Sequence, residues 1–193
     1  LESILIDNVW LAIIVWGIIY VSDYYLTIYA AHLYQIHLKE FVVFEGSFEL
    51  TPIFQKDVDS LRRISPRFVI LLVLSFVLIF LIWLLAVKFL KVPQIFSFSF
   101  GSLILREAAI HLRHLRNLAL SLFTRTAGGL NGHIEYSRWL ILKLSAVELL
   151  SFAGLFFLTY LALGSWLFLG GAVSCLYTGL QHWFMSKKYL AAS

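Results

Sequence analysis

Residues 97–124 read SFSFGSLILREAAIHLRHLRNLALSLFT, and the fold turns on whether this stretch crosses a membrane or lies on its surface. Its 28 residues are enough to span a bilayer, yet they include Arg106, Glu107, His111, Arg113, His114, Arg116 and Asn117. On a helical wheel most of these polar residues fall in one broad arc, with Arg116 at its edge. Leu105, Ala108, Leu112, Leu115, Ala119 and Leu122 fill much of the other side. That pattern serves a buried span facing a polar bundle interior or an amphipathic helix lying in the interface.

The rest of the composition places the chain in lipid. It is 61% hydrophobic and 13% charged, with a mean hydropathy of +0.87, whereas a globular domain is nearer half apolar and a quarter charged. The 17 Phe, 9 Tyr and 6 Trp suit a helical membrane protein with interfacial anchors. One cysteine, Cys175, excludes an internal disulfide framework and a multi-cysteine zinc site. The net charge of +4 reads as the basic excess that flanks spans, not as a nucleic-acid surface.

Four further runs have span character. Residues 9–35 are apolar with Asp23 near the centre, and Trp16, Tyr20, Asp23, Thr27, Ala30, Ala31 and Tyr34 share one face. With no basic n-region and no small-residue cleavage site, this run reads as a span, not a signal peptide. A carboxylate at mid-membrane costs about 2.5–3.5 kcal/mol on insertion scales, so Asp23 is expected to face a partner. Residues 68–90 are lipid-like on all sides apart from Ser75, with Lys88 placed to snorkel outward. Residues 134–163 start amphipathic, with Glu135, Arg138 and Lys143, and carry Glu148 deeper. After Gly164-Ser165, residues 166–184 form a run rich in Gly and other small residues that allow close helix approach. Between the first two runs, residues 37–67 form a polar segment expected on the membrane surface. Its FVVFEGSFELTP portion alternates apolar and polar residues, and residues 57–63 suit a short helix before Ser65-Pro66. Gly128-Gly129 and Asn131-Gly132 are turn signals.

The positive-inside rule arbitrates between two topologies of this single 1–193 domain. With 97–124 lying flat there are four spans, and nine basic residues (Lys88, Lys91, Arg106, Arg113, Arg116, Arg125, Arg138, Lys187, Lys188) oppose five in the first loop. With 97–124 inserted there are five, and nine (Lys39, Lys56, Arg62, Arg63, Arg67, Arg125, Arg138, Lys187, Lys188) oppose only Lys88 and Lys91. The sharper asymmetry favours an all-α polytopic transmembrane bundle of five spans, N-terminus outside and C-terminus in the cytoplasm. The alternative is four spans plus an interfacial amphipathic helix at 97–124.

Ionisable residues within spans mark ion, proton or substrate pathways. Asp23, Glu107, Arg113, His114, Arg116 and Glu148 are therefore the candidate path residues. The expectation is a small oligomeric channel or transporter with a charged interior. The alternative is a non-catalytic subunit or scaffold of a larger membrane complex, in which the same charges hold helices together. A third reading is a haem-binding electron carrier, with His111 and His114 as ligand candidates. Arg113 and Arg116 beside them favour plain hydrogen-bonding roles, and no cofactor is expected. H-E-x-x-H, G-x-S-x-G and Walker loops are absent, so no spacing selects an enzymatic reaction.

Asp23-x-x-x-Thr27, followed by Gly46-Ser-Phe-Glu49-Leu-Thr-Pro52, resembles the D-x-x-x-T … E-x-N-P pattern of a small bacterial membrane family of DUF5658-like proteins, with Thr51 where that pattern has Asn. REAAIHLRHLRN and GHIEYSRWLILKLSAVE also resemble segments of prokaryotic multi-span membrane proteins. The resemblance implies a prokaryotic cytoplasmic membrane and carries no activity with it.

Overall fold

The computed structural model describes residues 2–47, 49–127 and 131–192, without the side chains of 125–127 and 192. Gly128-Gly129 lies outside the described residues. Helix α1 spans Glu2–Asp7, and α2 spans Val9–Leu33 and continues in a π-helical turn, Tyr34–Leu38. Strand β1 (Val42–Phe44) and helix α3 (Gln55–Asp59) follow. Helix α4 is Pro66–Trp83, again extended by a π-helical stretch, Leu84–Phe89. Helix α5 is Pro93–Ala127, β2 is Ile134–Tyr136, α6 is Arg138–Leu163 and α7 is Trp166–Ala192.

Local chemistry sets these boundaries. Asn8 starts α2 by accepting the Trp10 and Leu11 N–H groups on its side-chain oxygen. Ser65 does the same for α4, accepting the Phe68 N–H, with Pro66 in the first turn where its missing N–H costs nothing. Gly164, at φ +65°, ends α6 in the left-handed conformation and reverses the chain into α7. Helix α6 starts later than the 134–163 run expected from sequence. Ile134, Glu135 and Tyr136 pair in parallel with Val42, Val43 and Phe44, and this ladder takes the backbone groups that a longer helix would use.

Contacts along the helices give their directions. Trp83 Nε1 donates to the Ile6 carbonyl, Trp16 Nε1 donates to Ser75 Oγ, and Tyr24 stacks on Phe68, so α4 runs antiparallel to α2. Phe96 and Phe100 share a core cluster with Leu5, Val9, Ala12 and Trp16, while His111 reaches Asp23 further on. Helix α5 therefore runs in the same direction as α2. Gly101 lies against Leu167, Gly171 against Leu105, and Ala109 clusters with Cys175, so α7 runs with α5. Phe156 packs near Phe168 and Ser145 bonds to His182, so α6 returns antiparallel to α7. The spatial order is α4, α2, α5, α7, α6, and the 97–124 stretch belongs to the central helix.

Among the described residues, four helices are long and apolar enough to cross a membrane: Val9–Leu38, Pro66–Phe89, Pro93–Thr124 and Arg138–Leu163. The charged stretch is one of the four. The 166–184 run, expected to be a span, lies in α7, which is not among them; Gly170, Gly171, Ser174, Thr178, Gly179, Gln181 and His182 dilute its apolar content. Large exposed apolar side chains such as Ile70, Leu74, Leu81, Leu158 and Leu161 cover the outside, as lipid-facing helices require.

At the α5–α7 crossing, a Cβ on Gly170 would overlap the Phe98 carbonyl, and one on Gly101 would overlap the Leu167 carbonyl. Backbone meets backbone, so no side chain can move aside. Gly154, exposed in α6, has nothing within 4 Å of the corresponding position. Gly101→Ala and Gly170→Ala are each expected to destabilise the bundle by about 3 kcal/mol, the upper range for overpacking. Gly154→Ala is expected to be neutral or stabilising by up to about 1 kcal/mol through helix propensity. Thermal unfolding of the three variants in one detergent checks the contrast.

Candidate functional site

The residues singled out from sequence separate onto two sides of α5. On the α2 side, Asp23 Oδ1 lies 3.4 Å from His111 Nδ1 and 4.0 Å from His114 Nε2. On the α6 side, Arg113 Nε donates to Glu148 Oε2 at 2.5 Å, and Arg116 Nη1 lies 3.6 Å from Glu148 Oε1. Spacing along α5 explains the split. Residues 111 and 114 stand three apart on one face, and 113 and 116 form a second pair rotated about 200° from the first at the helical 100° per residue. The partner expected for Asp23 is thus a pair of histidines, and Glu148 meets both arginines. Glu107 is buried one turn earlier on α5.

The two sides also differ in how well their polar atoms are satisfied. Glu148 is held by two guanidinium groups. On the α2 side, Asp23 Oδ1, His111 Nδ1 and His114 Nδ1 are buried without a hydrogen-bond partner among the described residues, and Arg106 Nε and, on the α6 side, Arg113 Nη2 are also without one. At 3.4 Å, the Asp23–His111 approach is a close polar contact without hydrogen-bond alignment. A buried polar atom left unpaired costs about 1–3 kcal/mol, so the α2 face of the cluster is a costly arrangement.

Sequence reasoning missed Glu49, although it stands in the second of the two quoted patterns. The segment between α2 and α4 folds as a cap over the end of the bundle. Tyr24 Oη donates to the Arg62 carbonyl, Ser65 Oγ donates to Asp57 Oδ2 at 2.6 Å, and the Arg138 N–H donates to Glu45 Oε2 at 2.7 Å. Val58 fills the space between Tyr24, Ile28, Ala31 and Phe68. This cap carries Glu49 inward, where it is buried and accepts the Thr51 N–H at 2.6 Å. There its charge interacts with that of Arg113, and it lies within electrostatic range of Asp23 and Glu107. A loop residue has no periodicity to announce it; only the folding of the cap brings it to Asp23.

The cluster sits at the cap end of the bundle. Asp23 is near the middle of a 30-residue apolar helix, which is why sequence alone puts it at mid-membrane. The partner helix Pro66–Phe89 is shorter, 24 residues, and its first turn is level with Asp23 because Phe68 stacks on Tyr24. The middle of α4, at Ser75, is level with Trp16.

Two cavities among the described residues bear on the site. One is an apolar crevice between α4 and α5, lined by Ile79, Phe96 and Phe100, with no room for water. The other is an open groove of about 270 Å³ beside Glu148, lined by Ser151, Phe152 and Leu155. Among the described residues, no three His, Cys, Asp or Glu side chains form a metal-holding group. No family model, curated protein or solved structure matches the chain.

Burial pushes the Glu49 carboxyl above the usual glutamate range, partly opposed by its bonds from Thr51 and the charge of Arg113. The folded state then holds its proton to higher pH than the unfolded chain does. Stability is expected to fall as pH rises from about 4 through the raised value. Glu49→Gln keeps the acceptor for Thr51 and removes the titration. The unfolding midpoint of Glu49→Gln relative to wild type should therefore rise with pH across that window, and parallel curves would contradict the assignment.

Proposed function

We propose that this chain is a small channel- or transporter-type membrane protein that handles ions or protons through the α2 face of α5. One observation carries the reading: Asp23 meets His111 and His114, with Glu107 and Glu49 within electrostatic range, and Asp23 Oδ1, His111 Nδ1 and His114 Nδ1 lack partners among the described residues. Charges that serve only to hold helices together are normally satisfied, as Glu148 is. Unsatisfied carboxylate and imidazole groups at a bundle end suit exchange with a passing ion, proton or water. In this reading α7 crosses the bilayer as a fifth span beside α5, and the cap faces the cytoplasm of a prokaryotic cell. Neither cavity reaches Asp23, so a homo-oligomer would complete the path.

The ordered cap, tied across the bundle end by the pairing of Val42–Phe44 with Ile134–Tyr136, favours a second reading, a non-catalytic subunit whose cap docks on a larger membrane complex. Proteoliposome flux separates the two. Asp23→Asn and His114→Gln are each expected to lower proton or ion flux at least tenfold, with the fold checked by thermal unfolding. Unchanged flux in both variants would leave the subunit reading. The span count is tested with cysteines at positions 94 and 133 in a Cys175→Ser background. A membrane-impermeant thiol reagent should label them from opposite sides, because α5 lies between them; labelling from one side would refute the insertion of α5.

A further inference from the structure

On the side of α5 away from Asp23, the groove of about 270 Å³ runs along α6 from Glu148 through Ser151 and Phe152 to Leu155. At its polar end Arg116 is 67% exposed, and its Nη1 and Nη2 have only long contacts, 3.6 Å to Glu148 and 3.4 Å to Asn117. Arg113 lies beneath with Nη2 unpartnered among the described residues. Two guanidinium groups against one carboxylate leave this end with a net positive charge. Guanidinium carries five N–H donors, so Glu148 orients the pair without using it up.

The direction of the groove identifies its occupant. Arg116 lies toward the cap, because α5 ascends to it, whereas Ser151, Phe152 and Leu155 descend α6 away from the cap. The exposed side chains further down, Leu155 and Leu158, are apolar, and the exposed Ser151 donates its hydroxyl to the Val147 carbonyl of its own helix. A cationic mouth at the level of the first turn of α4, above an apolar trough in the span, matches a phosphate above an acyl chain. A soluble anion would find no donor along the trough, and a water-soluble peptide would not reach it.

We infer that this groove binds an anionic phospholipid from the cap-side leaflet, with its phosphate on Arg116 over Arg113 and one acyl chain along Phe152 and Leu155. Basic pockets between membrane helices are suited to such headgroups. The inference rests on the membrane placement of the bundle but not on ion flux, since it uses the opposite face of α5.

Native mass spectrometry of the full chain, released from a detergent that strips bulk lipid, tests this with phosphatidylglycerol and phosphatidylcholine of matched chains. Wild type is expected to retain phosphatidylglycerol at least tenfold better. Glycerol 3-phosphate in excess should not displace it. Arg116→Gln, at an exposed position that leaves folding intact, should abolish the preference, and Leu155→Trp should reduce retention of both lipids by filling the trough. Equal retention of the two lipids by wild type, an undiminished preference in Arg116→Gln, or displacement by glycerol 3-phosphate would each overturn it.

Discussion

Helix α5 brings Arg113, Arg116, His111 and His114 into a bundle that is otherwise apolar, and the acids that meet them come from separate parts of the chain. Glu148 reaches Arg113 from α6 at 2.5 Å, Asp23 reaches His111 from α2 at 3.4 Å, and Glu49 reaches inward from the cap. A guanidinium removed from water without a counter-charge would cost several kcal/mol, so the placement of α5 at the centre depends on these pairings. The remaining packing conforms to that requirement. Gly101, Gly170 and Gly171 bring α7 close against the uncharged half of α5, which leaves its polar half to α2, α6 and the cap.

The two sides of α5 illustrate different uses of charge. Arg113 and Arg116 both pair with Glu148 beside an open groove. Asp23, His111 and His114 are close enough to interact yet leave buried atoms without hydrogen bonds. Satisfied buried networks fix geometry, whereas unpaired buried polar groups are costly to keep. A single count of ionisable residues in the helix would merge these roles.

The cap links topology to the site. Pairing of Val42–Phe44 with Ile134–Tyr136 ties the end of α2 to the start of α6 and brings the segment carrying Glu49 across α5. Ser65 and Asp57 anchor its other end to α4. The cap thus holds the buried Glu49 within electrostatic range of Arg113 and Asp23.

Hydropathy and helical periodicity were enough to read the long helices, the turn at Gly164-Ser165 and the importance of residues 97–124, because each depends on residues close in sequence. Asp23 and Glu148 stood out as ionisable residues in apolar runs, and Arg113 and His114 as members of the charged stretch at 97–124. Their partners did not, since pairing depends on helix rotation and on relative axial offset, which no local pattern contains. The offset between α2 and the shorter α4 moved Asp23 from the centre of its own helix to the end of the bundle, and a loop residue, Glu49, joined it there. The sequence alone thus determined a lipid-soluble helical chain with charges concentrated on one helix. Only the tertiary structure decided which charges meet, at what level, and which are left unsatisfied, because those are properties of surfaces brought together from distant parts of the chain.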